Sequence, residues 1–495
     1  MKKIKDFFVN HKTITLIVLS FILGFLTILV SSSVSSFIYN YQPSSKYVND
    51  QSIFYYLGAM MLKGKTPYLE VFDHKGLYLF YYSAFGLMMG GKIGFFILQV
   101  VFLTFIYFLL MKALLEFNAQ KTLVFACVLL FLALYCFSMQ SPSDFELQLP
   151  LITLMVYFYV LGINREEEKW FVLGNLIAGV CAGIAINCRA SDALVPFAFV
   201  VAYFVRALRT KKFKELILSA GVCILALLII SLPPFIHSRI GGFTKEMYDA
   251  ILFDNFRYVG AENLGSQVYP IVSRIIIVLI AVLFYLPLII NRKKLKEHEF
   301  IMVSVMAGIM FVIQLIIARY IHYIFIMTTF IFIFVVRSIS LFFDGEKKWF
   351  LAIKIASLVI AIASLFTYPT IYYSSQYQKD KEIVTFICEN IPLEERQGGH
   401  VLCVGENAEL YTNCQIVIGY GDFNVQFNHV NISSLYPIER LMDYYKSGDC
   451  HYVILYKGRD ASEYDNTTSW FSSEEGLDYY TKIPGKYVDI FKYSK

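Results

Sequence analysis

Apolar positions in this chain gather in long uninterrupted runs, not in the alternation that marks a half-buried strand or amphipathic helix. Runs of about 20 residues, enough to cross a hydrocarbon core of about 30 Å, recur through the first three quarters of the sequence. They fall at 14–34, 92–111, 121–138, 145–163, 170–188, 192–208, 215–236, 271–290, 300–318, 321–337 and 349–372. The pattern predicts an all-α polytopic membrane bundle of about eleven transmembrane helices. The first run has an apolar core from Thr15 to Val30 and beyond. That exceeds the roughly 7–15 residues of a signal-peptide core, so it reads as an uncleaved anchor.

Two stretches between the runs are long. Residues 35–91 are weakly apolar and contain amphipathic segments such as 53–62, suited to lying flat in the membrane interface; residues 237–270 form the second. From about 378 the pattern changes. A helical stretch, 381–391, alternates with apolar strand-like segments at 400–404, 415–418 and 451–455, which predicts a small soluble α/β domain. The expected division is a transmembrane domain over 1–375, including the outer loop 35–91 with its interfacial helices, and an extracytoplasmic α/β domain over 376–495.

Composition agrees: of 495 residues, 57% are hydrophobic and only 16% charged, against about a quarter charged in soluble domains. The basic residues cluster in alternate loops. Lys2, Lys3, Lys5 and Lys12 precede the first run. Lys112 and Lys121, then Arg165 and Lys169, then Arg206, Arg209, Lys211, Lys212 and Lys214 follow; Arg292, Lys293, Lys294 and Lys296, then Arg337, Lys347 and Lys348 complete the series. The intervening short loops hold only Arg189 and Arg319. Positive-inside bias puts the N-terminus in the cytoplasm, and an odd number of spans puts the tail outside. This distribution, with a net charge of +5, points to membrane topology and not to nucleic acid. The 9 cysteines include no Cys-x-x-Cys pair, so no structural metal site is expected.

Charge beside a bilayer is costly, which makes its placement informative. Asp50, Asp73, His74, Lys75, Asp144, Glu146, Arg189, Asp192, Arg319 and His322 all fall on the predicted outer face, most of them at the mouth of a span. Singly, such residues serve as helix-end anchors. The first-loop group is more distinctive. Asp50 opens an aromatic-rich segment, Gly64-Lys65-Thr66-Pro67-Tyr68 follows, and Asp73-His74-Lys75-Gly76 sets an acid, an imidazole and an ammonium in a predicted tight turn.

At these residues the chain resembles the bacterial GT-C glycosyltransferases, which include protein O-mannosyltransferases and lipid A aminoarabinose transferases. The matching positions are Asp50, Gly64, Pro67, Tyr68 and Asp73-His74-Lys75-Gly76, with Leu77 where the family usually has Pro. Glu146 to Pro150 resembles the Glu-x-x-Leu-Pro entering the fourth span, Arg189 the arginine ending the fifth, and His322-Tyr323 the His-Tyr pair of a late span. The resemblance covers most of 1–375. It implies transfer of a sugar from a polyprenyl-phosphate donor to an envelope glycan, lipid or protein acceptor on the outer face. Asp50 is then the catalytic base, and Lys75 the contact to the donor phosphate.

The chemistry fits independently. Inverting transfer needs one carboxylate as general base and cations to stabilise the departing phosphate. Lys75 with Arg189, Arg319 or His322 supplies the cations, and Glu146 either holds a sugar hydroxyl or positions Arg189. Neutral Asn49 beside Asp50 leaves no Asp-x-Asp pair, so no cofactor is expected and a divalent metal is not favoured. The competing readings are a lipid-linked oligosaccharide transporter or flippase, and a polysaccharide polymerase or ligase. Transporters tend to show repeated halves and charge near mid-membrane; neither is visible here.

Overall fold

The structure is a computed structural model that describes residues 12–31, 49–138, 146–254, 268–317, 321–341, 350–367, 369–404, 408–417, 423–424, 438–457 and 469–495. In chain order its first elements are α1 (Lys12–Ser31), α2 (Asn49–Leu62), β1 (Val71–Phe72), α3 (Leu77–Met88), α4 (Lys92–Glu116), α5 (Lys121–Ser138), α6 (Leu149–Arg165), α7 (Glu168–Ile186), α8 (Leu194–Arg209) and α9 (Phe213–Gly241). There follow α10 (Thr244–Tyr248), α11 (Val268–Ile290), α12 (Glu297–Ile317), α13 (Thr328–Ser340), α14 (Phe350–Thr367), α15 (Pro369–Asn390), α16 (Leu393–Gly398), β2 (Val401–Val404), α17 (Ala408–Asn413) and β3 (Phe423–Asn424). The chain ends with α18 (Ile438–Ser447), β4 (Tyr452–Tyr456), α19 (Glu474–Tyr479), β5 (Tyr480–Pro484) and β6 (Val488–Tyr493).

Within the described residues, each of the eleven apolar runs read from the sequence is largely helical. Among the described residues 7 helices are long and apolar enough to cross a membrane, and four shorter apolar helices, 121–136, 149–165, 324–340 and 350–366, account for the remaining runs. The outward faces of these helices are apolar. Ile217, at 74% exposure, Leu225, Leu228 and Ile229 stand out from α9, and Leu279, Leu283, Leu286 and Ile290 from α11. Faces of this kind are matched by lipid and not by water. The chain is a multi-pass membrane protein.

The chain folds as two compact units, one of Met1–Ser31, Ile97–Pro234 and Leu264–Pro369, the other of Ser32–Phe96, Phe235–Asn263 and Thr370–Lys495. In the first, α6 packs on α7, α8 on α12, and α5 on α14. With lipid as apolar as the helices themselves, such packing depends on small residues and polar ties. A Cβ on Gly179 of α7 would collide with the carbonyl oxygen of Cys223 on α9. The Tyr159 hydroxyl on α6 donates to Asn175 Oδ1 on α7 at 2.8 Å, and the hydroxyls of Thr27 and Tyr107 meet at 2.9 Å between α1 and α4.

In the second unit, α2 lies against α3 and α17. A Cβ on Gly58 would come within 2.6 Å of the Ala84 nitrogen, so the two helices touch at their backbones. The expected single apolar face is absent: consecutive residues from Ile53 to Gly58 are all buried. The reason lies 360 residues along the chain, where the Tyr56 ring lies 5.1 Å from that of Tyr411, tilted by 42°, and its hydroxyl donates to the Ile416 carbonyl at 3.2 Å. Val71 and Phe72 pair in parallel with Phe423 and Asn424, so the first loop and the tail share a unit.

The tail carries a four-stranded sheet in the order β2-β4-β6-β5, with β2 parallel to β4 and the other pairs antiparallel. The expected helix and the strands at 400–404 and 451–455 are present. Of the expected strand at 415–418, residue 418 lies outside the described residues and 415–417 are not a strand: Ile416 is buried just after a turn, and the Val417 nitrogen donates to the Arg396 carbonyl at 2.8 Å. Strands β5 and β6 went unread, because Lys482, Lys492 and Pro484 break their apolar pattern.

Near this turn Arg396 donates from Nη1 to Cys388 Sγ at 3.2 Å and to the Cys414 carbonyl at 2.5 Å. A hydrogen bond from Cys414, aided by the Arg396 charge, pushes the Cys388 thiol below its ordinary range, while Cys414 is pushed up. Since the thiolate is the nucleophile, Cys388 should alkylate with iodoacetamide at pH 7 well before Cys414. Timed quenching and peptide mass spectrometry read the order; equal rates would refute the thiolate assignment.

Candidate active site

The candidate residues divide between the two units. In the second, the chain leaves α2 through Gly64 and Tyr68, both with left-handed backbones (φ 82° and 63°). A left-handed tyrosine is unusual and needs support from its surroundings. Here the Tyr68 nitrogen donates to the Val71 carbonyl at 2.7 Å, and its ring lies 5.6 Å from Phe80 and 6.0 Å from Phe243. Its hydroxyl donates to the Lys75 carbonyl at 2.8 Å. The Gly-x-x-Pro-Tyr segment thus acts as a clamp on the turn that follows it.

Within that turn Asp73 is buried, and its Oδ1 accepts the Lys75 backbone N–H at 2.9 Å. The same oxygen lies 3.7 Å from His74 Nδ1, and His74 Nε2 lies 2.6 Å from Lys75 Nζ. An ammonium has donors only, so Nε2 is the acceptor and the ring proton sits on Nδ1, facing the carboxylate. Asp73 shapes the turn, and His74, also buried, aims the half-buried Lys75.

Leu77 occupies the first position of α3, after Gly76 as N-cap, and is fully buried. The first helical position is the one where Pro is best tolerated, because its N–H has no intrahelical partner. Leu in place of Pro therefore leaves the turn intact.

Asp50 stands in the first turn of α2. Its side chain lies outside the described residues, as do Asp144, Arg319 and the side chain of His322, whose backbone belongs to the 3-10 helix Ile321–Met327. In the same unit the Tyr81 hydroxyl meets His237 Nδ1 at 2.6 Å, with the rings stacked at 5.6 Å. Nothing in the sequence pattern signalled that pair, which joins residues 156 positions apart.

In the first unit Glu146 is buried, and its Oε2 accepts from Gln99 Nε2 at 3.3 Å. Arg189 is also buried and approaches Asp192 Oδ1 with Nε at 2.8 Å and Nη2 at 2.7 Å. The second oxygen of Asp192 accepts from Gln148 Nε2 at 2.9 Å. Asp192 thus helps to orient Arg189. Its place three residues after an arginine, in the short helix Ala190–Ala193 leading into α8, was the available signal.

The basic loops of this unit meet one another. Arg165 binds Glu116 at 2.8 Å, Arg206 binds Glu168 at 2.8 Å, Lys296 pairs with Glu166, and Arg337 Nη1 donates to the Phe117 carbonyl at 3.1 Å. Loops that the charge pattern assigned to one membrane face are therefore together at one end of the bundle.

The fold matches that of ArnT from Cupriavidus metallidurans in a crystal structure with bound undecaprenyl phosphate, with a TM-score of 0.59, 11% sequence identity and coverage of 97% of each chain. The apo crystal structure of the same protein gives 0.57, 10% and 98% of each chain. The chain thus has an ArnT-like fold, the one the GT-C resemblance predicts. A family profile described as dolichyl-phosphate-mannose-protein mannosyltransferase matches residues 88–236. That segment holds Glu146 and Arg189, while Asp50 and Lys75 precede it. A search of curated proteins gives no match.

Asp192→Ala would remove a buried carboxylate partner of Arg189, at a cost of about 3–5 kcal/mol. Thermal unfolding in detergent should show a clear drop in apparent Tm for Asp192→Ala, largely recovered in the double variant Arg189→Met, Asp192→Leu. An unchanged Tm for the single variant would mean that the pair is not buried.

Proposed function

We propose that the chain is an inverting glycosyltransferase that moves a sugar from a polyprenyl-phosphate donor to a cell-envelope acceptor at the outer membrane face. The observation that carries this reading is the GT-C fold along nearly the whole chain, shared with a protein whose crystal structure holds undecaprenyl phosphate. The His74-held Lys75 supports it, since a compact ammonium suits a phosphate.

In the proposed reaction Asp50 takes the proton of the acceptor hydroxyl as its oxygen bonds to the anomeric carbon. The bond from that carbon to the phosphate oxygen breaks, and the polyprenyl phosphate leaves with the electron pair. Lys75 meets the charge that develops on it, with Arg189, Arg319 and His322 as further cations. Glu146 holds a sugar hydroxyl. Asn49, neutral beside Asp50, gives no paired carboxylate for a metal, so transfer should be unaffected by added Mg²⁺ or Mn²⁺. The end of the bundle where the basic loops pair is the cytoplasmic one, and the tail lies outside.

The test compares the envelope glycans of a deletion strain with its parent by mass, then complements it. Asp50→Asn should lower transfer by about 100-fold or more while the protein accumulates normally. Lys75→Ala should weaken use of the polyprenyl-phosphate donor and slow its departure. Full complementation by Asp50→Asn would remove the proposed base; loss of the glycan in the deletion strain with its lipid-linked precursor stranded on the inner leaflet would favour the flippase.

A further inference from the structure

The tail contains a group of side chains that sugar transfer does not use. His400 and His451 immediately precede β2 and β4, two adjacent parallel strands in which Val401 is opposite Tyr452. The Tyr452 nitrogen donates to the His400 carbonyl at 3.0 Å, which fixes the two histidines side by side at the edge of the sheet. Glu395, on α16, lies across them, with its Oε2 2.7 Å from His451 Nδ1. The imidazole rings are stacked, 4.2 Å apart and 11° from parallel. One ligand atom from each of the three residues falls within 4.8 Å of the other two.

We propose that Glu395, His400 and His451 form a binding site for a divalent transition-metal ion of the zinc type. Two imidazoles and one carboxylate are a donor set zinc uses, in tetrahedral geometry with bonds of about 2.0–2.2 Å, the fourth position being left to water. Such geometry sets donor atoms roughly 3.4 Å apart. The three groups reach that spacing by side-chain rotation, for which the His451 and Glu395 side chains, 40% and 27% exposed, have room.

The surroundings of His400 add an independent argument. Its Nδ1 lies 3.3 Å from the Asp449 carbonyl oxygen. An N–H donated there leaves the lone pair on Nε2, which is how metal-binding histidines are usually oriented by their outer shell. The strand ends hold the two backbones side by side before any ion arrives.

The full-length protein, purified without a polyhistidine tag, stripped with chelator and exchanged into nanodiscs, is titrated with Zn²⁺ alone by calorimetry. One saturable equivalent is expected, weakened at least about tenfold by His451→Ala and by Glu395→Gln. Co²⁺ should give visible absorption bands of a four-coordinate nitrogen and oxygen site, lost in both variants. Circular dichroism confirms that each variant is folded. Absence of a stoichiometric heat, or wild-type binding in both folded variants, overturns the site.

Discussion

A charge beside lipid-facing helices must find its partner within the protein, because the hydrocarbon offers none. That constraint orders the polar residues of this chain. At one end of the first unit, Glu116, Glu166 and Glu168 neutralise Arg165, Lys296 and Arg206 from other loops, tying the helices together where they turn. Away from those loops, Asp192 holds Arg189 through two nitrogens and is itself held by Gln148. A planar guanidinium gripped along one edge has a fixed orientation, which a lysine in its place would lack. In the second unit the same logic produces the Asp73–His74–Lys75 chain.

Much of this was legible in the sequence, for reasons of scale. A span of about 20 apolar residues has few alternative explanations, so the runs read from the sequence include every helix among the described residues that is long and apolar enough to cross a membrane. The alternation of basic loops foretold which loops would meet. The aromatic helix α2 shows where such reading stops. Its segment looked amphipathic because the eye supplies water for the second face. In the structure Tyr411 and the Ile416 carbonyl occupy that face, and nothing within the first loop announces a partner so far along the chain. Strands β5 and β6 were missed because their exposed face carries lysines on a short, turn-rich segment.

The candidate site was legible to the extent that local sequence determines it. A turn closed by hydrogen bonds between neighbours, such as Asp73 to the Lys75 nitrogen, can be read from adjacent letters. Gln99 with Glu146, Gln148 with Asp192, and Tyr81 with His237 join residues 47, 44 and 156 positions apart. Those depend on how helices pack, which a single sequence does not encode in any short motif. Leu77 illustrates the converse: a departure from the family pattern loses its weight once position 77 is known to begin a helix.

The order of acid, imidazole and ammonium has a consequence for how Lys75 can work. With the proton on Nδ1 facing Asp73, His74 presents a lone pair to the ammonium at 2.6 Å. Protonation of the ring would set an N–H against that ammonium, and two cations at that distance in a largely buried turn repel strongly. The lysine is therefore held by the acceptor nitrogen of the His74 ring, with the buried Asp73 carboxylate on the ring's other side. In the proposed reaction a phosphate at Lys75 would compete with the imidazole, and among the described residues Lys75 forms no carboxylate salt bridge. The ammonium is thus oriented by its described neighbours and left to meet the negative charge that the proposed transfer develops.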